Sequence, residues 1–200
     1  MYPGPGGPGY ICEPIIHLDM EQHIAIDETV ELSEFQTGDK ANLILYLNDS
    51  EMNRNTLRVP FPYTQKDADD WMALVEKNRS DYGAVINWAV RHREAGVIGG
   101  IGAFMKNGIA GHSDEIGYWM AAPFRGKGIM TRVLERYTEH LFASRPPLIR
   151  IEAWVFEHNR ASIRVLEKVG FRQEGFARNM YIKNGKPLDA YLLGKLREDT

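Results

Sequence analysis

The sequence predicts an α/β domain with a mixed, mostly antiparallel sheet, and three observations predict it. β-type runs recur between residues 29 and 196. Amphipathic stretches separate them, the clearest placing Met130, Val133, Leu134, Tyr137 and Leu141 on one helical face. Residues 114–156 read strand, helix, strand, which a right-handed crossover makes a parallel βαβ unit. The predicted order is β-α-α-β-β-β-α-β-α-β-β.

Each element has its own warrant. Residues 1–10 are a Pro/Gly-rich tail expected to be disordered. Residues 11–28 form an N-terminal extension feeding a first strand at 29–35. Leu43, Ile44 and Leu47 predict a helix within 39–48, and a looser segment follows at 50–58. Pro60 and Pro62 exclude a regular helix there. Thr64 and Asp67 then form a capping-box pattern for a helix over 64–79. Strands at 84–91 and 95–104, the second Gly-rich, are joined by a short polar turn and predict an antiparallel hairpin. Residues 107–113 make a loop, and a strand at 114–121 ends at Pro123. The next helix stops at Arg145 and two prolines, before a strand at 148–156. A short helix at 160–169 ends on Gly170, and final strands at 172–182 and 189–196 flank an Asn184-Gly185 turn.

Composition narrows the function classes. The chain of 200 residues is 44% hydrophobic, enough for a substantial core. Its net charge of −3 argues against a dedicated nucleic-acid-binding domain. The one cysteine, Cys12, permits neither an intrachain disulfide nor a cysteine-based zinc site, and no metal is expected. Without a long apolar run or a signal-peptide pattern, the chain reads as a cytoplasmic or nuclear protein that does not engage a membrane.

The chemistry concentrates where the strand ending at 121 gives way to a helix. In Phe124-Arg125-Gly126-Lys127-Gly128-Ile129-Met130 the two glycines let backbone N–H groups converge. The helix start adds partial positive charge, and Arg125 and Lys127 add full charges. Such a turn suits a pyrophosphate, although a solvated basic turn reads the same way. The P-loop and dinucleotide-binding patterns are both absent at this turn.

The stretch from Glu115 through this turn resembles the acetyl-CoA-binding motif of the GNAT superfamily of N-acetyltransferases, Arg/Gln-x-x-Gly-x-Gly/Ala. A second block, with Asn159, Ser162, Lys168, Gly170 and Phe171, is similar to the family's next motif. The segment PFPYTQKDADDW resembles the N-terminal signature of the RimJ/RimL-like, ribosomal-protein acetyltransferase branch. The three motifs span roughly residues 29–196, so a single GNAT domain is expected over 29–197.

The resemblance implies a splayed parallel strand pair and direct transfer from acetyl-CoA as co-substrate. Pantetheine would bond main-chain groups of Trp119, Met120 and Ala121. The pyrophosphate would sit on Arg125, Gly126, Lys127, Gly128, Ile129 and Met130. Asn159 would reach the CoA arm, though it is equally suited to cap the next helix. Ser162 matches the serine that protonates the leaving thiolate in RimL-type enzymes, and Tyr181 and Tyr191 are alternatives.

An acceptor amine with a pKa of about 10 needs a base. Glu115 is the first candidate, sharing a strand face with Gly117 and Trp119. Glu152, Glu157 and His158 are the others. Trp71, Trp88, Trp119 and Trp154 serve either as core or as acceptor-pocket walls. Asp67, Asp69 and Asp70 either attract a cationic acceptor or decorate a helix N-terminus. The expected acceptor is a small-molecule amine of polyamine, amino-sugar or amino-acid type. A protein N-terminus is the alternative, and a non-catalytic CoA sensor or a tail-based interaction module are rivals. A homodimer through edge strands is compatible with the resemblance.

Overall fold

One mixed sheet organises the chain, and the computed structural model describes residues 23–106 and 110–199. The predicted disordered tail, Cys12 and most of the N-terminal extension lie outside the described residues. Eight strands are described: β1 (His23–Ala25), β2 (Val30–Glu34), β3 (Asn87–His92), β4 (Gly96–Met105), β5 (Ser113–Met120), β6 (Arg150–Phe156), β7 (Arg172–Lys183) and β8 (Lys186–Leu196). The helices are α1 (Lys40–Leu47), α2 (Ser50–Asn55), α3 (Gln65–Tyr82), α4 (Ile129–Ser144) and α5 (Arg160–Lys168).

The sheet order is β1-β2-β3-β4-β5-β6-β8-β7. The β5–β6 pair is parallel, as the βαβ reading requires, and the other six pairs are antiparallel. Two differences from the sequence reading stand out. His23–Ala25, inside the expected extension, adds an edge strand to β2. Residues 50–55, expected to be loose, form α2, because the Asp49 side chain caps it by accepting from the Glu51 N–H at 2.9 Å.

α4 and α5 cover one face of the sheet. There Val133, Leu134, Tyr137 and Leu166 are fully buried against Ile116, Ile151 and Leu193. α1, α2 and α3 contribute Leu43, Leu47, Met52 and Ala68 to a second cluster with Phe35 and Val97 on the other face. The capping box of α3 forms as the sequence predicts, with Asp67 Oδ2 accepting from the Thr64 N–H at 2.7 Å. Gly100 in β4 is required by close approach. A Cβ there would lie 2.5 Å from the Trp119 indole nitrogen on β5.

Candidate active site

The site begins where a ladder stops. β5 and β6 pair through Ser113, Glu115 and the residue between them, opposite Arg150 through Glu152. Beyond that point β5 stays on β4 as far as Met120, and β6 stays on β8 as far as Phe156. The two strands therefore part at their carboxyl ends, where ligands of α/β sheets bind. A cleft of about 470 Å³ opens there, with walls from Glu115 through Trp119, from Ala153 through Phe156, and from Asn159 and Ser162.

Main-chain groups face this gap for a geometric reason. The Ala121 N–H donates to Ile98 O at 2.8 Å, so it is committed to β4. Antiparallel alternation then turns the N–H groups of Met120 and Tyr118 away from β4, toward the opening. Of the three residues the resemblance assigns to pantetheine, Met120 is the one whose N–H is so directed.

The Gly-rich turn follows immediately. Gly126 and Gly128 both take φ of +73°, a region that favours glycine. Arg132 is the first residue of α4 to find a main-chain acceptor, Gly128 O at 3.3 Å. The N–H groups of Ile129, Met130 and Thr131 thus form the open end of a sixteen-residue helix. This arrangement fits an anionic phosphate group. The Arg125 side chain, however, is turned elsewhere. Its guanidinium holds Met120 O at 2.9 Å, Asp49 at 2.6 Å and Glu51 at 3.0 Å. It ties α2 to the end of β5, so full positive charge at the turn rests on Lys127, which lies over the Phe124 ring.

On the α4–α5 side of the sheet, Ser162 Oγ lies 2.6 Å from the Tyr118 hydroxyl, which also approaches Ser162 O at 3.3 Å. Burial pushes the Tyr118 pKa up, and the Ser162 hydrogen bond only partly opposes it, so the phenol stays neutral. The Asn159 oxygen caps α5 by accepting from the Ser162 N–H at 3.2 Å. Its amide nitrogen has no partner among the described residues. Tyr118 was missed because a tyrosine at an inward strand position reads as core. Its only signal was the alternation that sets it opposite Glu115.

On the other face, Glu115 lines the cleft and Glu152 does not. Burial, reinforced by the Glu152 charge, raises the Glu115 pKa above its ordinary value. For Glu152, burial is outweighed by hydrogen bonds from Lys106 and from Arg150 (3.1 Å), which hold it below the usual glutamate range. Arg150 also grips Glu174 at 2.5 and 2.9 Å. His158 is excluded from the cleft: its Nε2 lies 3.3 Å from Arg54 O, in a separate shallow depression shared with Glu157.

Tyr181 lines the cleft, but Tyr191 packs on Phe176, ring centroids 4.9 Å apart. Trp71, Trp119 and Trp154 are cleft walls, whereas Trp88 is core, 3% exposed. The acids near Trp71 are spent locally, Asp67 in the capping box, Asp69 on Lys40 and Asp70 on Lys66.

Comparisons with known proteins agree with this geometry. Residues 29–172 match the model of the acetyltransferase (GNAT) domain. The chain is 42% identical over 84 residues to YjcK of Bacillus subtilis, named a probable N-acetyltransferase, covering 42% of this chain and 46% of that protein. It is 27% identical over 173 residues to the uncharacterized N-acetyltransferase p20 of Bacillus licheniformis, covering 86% and 95% respectively. Among solved structures, RimL, the ribosomal L7/L12 α-N-protein acetyltransferase in complex with coenzyme A, superposes with a TM-score of 0.77 at 18% identity, covering 89% of this chain and 99% of that one. With a family match over residues 29–172 and a parallel strand pair that parts at its carboxyl ends, the chain belongs to the GNAT acetyltransferase family.

Proposed function

We propose that the protein transfers acetyl from acetyl-CoA directly to a primary amine of a small molecule. The observation that carries this reading is the cleft between β5 and β6, with a raised-pKa carboxylate on one face of the sheet and a half-buried hydroxyl pair on the other. The amides at the start of α4 and Lys127 hold the pyrophosphate. The Met120 N–H donates to the thioester oxygen as negative charge builds on it.

Glu115, poised by burial, takes a proton from the acceptor ammonium, directly or through one water. The neutral amine attacks, a C–N bond forms, and the C–S bond breaks. Ser162, backed by Tyr118, gives its proton to the departing thiolate and is reprotonated as the attacking nitrogen loses its second proton. Net products are the amide, CoA thiol and one proton. Positioning both substrates in one cleft removes the need for a covalent acyl-enzyme.

The test is release of CoA thiol from acetyl-CoA across polyamines, amino sugars, amino acids and peptides with free N-termini. Release with a small amine, lost in Glu115→Gln and Ser162→Ala, supports the reading. Release with peptides alone favours a second reading, protein α-amine acetylation, which the likeness to RimL motivates. Saturable acetyl-CoA binding with no release from any amine points to a macromolecular acceptor or to the non-catalytic sensor.

A further inference from the structure

Two of the residues lining the cleft carry charge, Glu115 and Arg58, and they do not pair with each other. Among the described residues Arg58 has no carboxylate partner at all. Its guanidinium lies over the Phe104 ring, 5.4 Å from the centroid. Phe104 on β4 is the register partner of Glu115 on β5, so ring and carboxylate share a face. The ring leans over Gly117, where an added Cβ would meet it at 3.5 Å. Arg58 and Glu115 therefore flank the same end of the cleft.

The segment bearing Arg58 is pinned. Asn53 Nδ2 donates to Val59 O at 3.0 Å, and Lys183 reaches from β7 to the carbonyls of Asn53 and Thr56. Asn48 clasps the main chain of Tyr63, donating to its carbonyl at 2.6 Å and accepting from its N–H at 2.9 Å. The exposed Arg58 side chain thus extends from a segment whose main chain is fixed at both ends, with its guanidinium over Phe104.

We propose that Arg58 is an anion-binding subsite for the acceptor, and that the acceptor is an amine bearing a nearby carboxylate, of the amino-acid class. The proposal rests on the acetyltransferase reading above. The ammonium goes to Glu115 and the carboxylate to Arg58, so one zwitterion neutralises both charges. Trp71, Trp119 and Phe35 supply an apolar wall for the rest of the molecule. A polyamine or an aminoglycoside would bring a second cation against Arg58, with no second carboxylate in the cleft lining to receive it. The reach of the Arg58 charge is consistent: it opposes the burial that raises the pKa of both Glu115 and Tyr181.

The test uses matched probes: phenylalanine, phenylalaninamide and phenethylamine, with spermidine as the polycation. Thiol release is measured for the wild type, Arg58→Gln and Arg58→Lys. Comparing variant with wild type for each probe cancels the different amine pKa values. Arg58→Gln should lower kcat/KM for phenylalanine about three- to fivefold more than for phenethylamine, mainly through KM, the size expected of an exposed charge pair. Arg58→Lys should restore part of that difference.

Calorimetric binding of N-acetylphenylalanine against its amide provides a readout independent of turnover, and the acid should bind about three- to fivefold tighter. If no amine releases thiol but the acid still binds selectively through Arg58, the transferase reading fails and the subsite stands. If Arg58→Gln affects all probes equally, or the acid and the amide bind alike, the subsite is overturned whatever the turnover.

Discussion

Replacing Tyr118 by Phe removes one oxygen and tests whether Ser162 acts alone. That oxygen lies 2.6 Å from Ser162 Oγ, at a half-buried position on the cleft wall. Losing it forfeits a net hydrogen bond worth about 1 kcal/mol, and an unpaired buried hydroxyl raises the cost to about 1–3 kcal/mol. For a chain of this size each kcal/mol is about 2–4 °C, so Tm should fall by roughly 2–12 °C. Catalysis gives the sharper number. Loss of a general acid costs about 10²-fold or more in rate. If Tyr118 supports the proton that Ser162 delivers, Tyr118→Phe and Ser162→Ala each lower kcat by about that factor, and the double variant is scarcely worse than the poorer single. The assay is thiol release at saturating acetyl-CoA, alongside thermal unfolding of the same preparations. Two results refute the reasoning: effects on kcat that multiply, or a lower Tm with kcat intact, which would leave the hydroxyl a structural role.

Glu115→Gln should lower kcat by about 10²–10³-fold at neutral pH without changing the KM for acetyl-CoA. Because the carboxylate is the active form and its pKa is raised, the wild-type acid limb should lie above the ordinary glutamate value. Glu152→Gln removes a neighbouring negative charge and should move that limb to lower pH; a limb that stays put would sever the link between the two. Asp27, held down to about 2 chiefly by the Thr29 N–H, also pairs with Arg132 on α4. Its folded pKa lies below the ordinary value, so its contribution is present above about pH 4 and lost as pH falls through about 2. With screening at this exposed position, Asp27→Asn should cost within about 1 kcal/mol at pH 7 and almost nothing at pH 2, read as a Tm difference that closes on acidification.

Much of the fold was legible because it rests on local chemistry. The capping box of Thr64 and Asp67, the apolar stripe of α4 and the βαβ order all follow from spacing. α2 was not legible, since SEMNRN has no apolar periodicity and forms around the Asp49 cap and the clamp from Arg125. The site divides in the same way. Motif and alternation made Glu115, Ser162 and the Gly-rich turn legible as candidates, and the structure puts Glu115 and Ser162 on the cleft wall. The diversion of Arg125 to Asp49 and Glu51 was hidden, because its partners lie 76 and 74 residues away. Tyr118, Arg58 and the exclusion of His158 likewise depend on how distant segments meet, and pairwise meetings across 40 or more residues leave no trace in local pattern.

The interrupted ladder gives the sheet a mechanical character. β1 through β5 form one plate and β6 through β8 another, and among the described residues the ladder they share is the three-residue seam at Ser113 to Glu115. At that seam Asp114 is fully buried and paired with Arg145 at the end of α4. The arm from Glu115 to Met120 is five residues, about 16 Å. A change of about 5° at the seam therefore moves its tip by about 1.4 Å, and a misplacement of about 1 Å can cost 10²-fold in rate. The cleft is the long end of a lever whose fulcrum is this seam, and substitutions at Asp114 or Arg145, neither of which lines the cleft, would act on the chemistry through it.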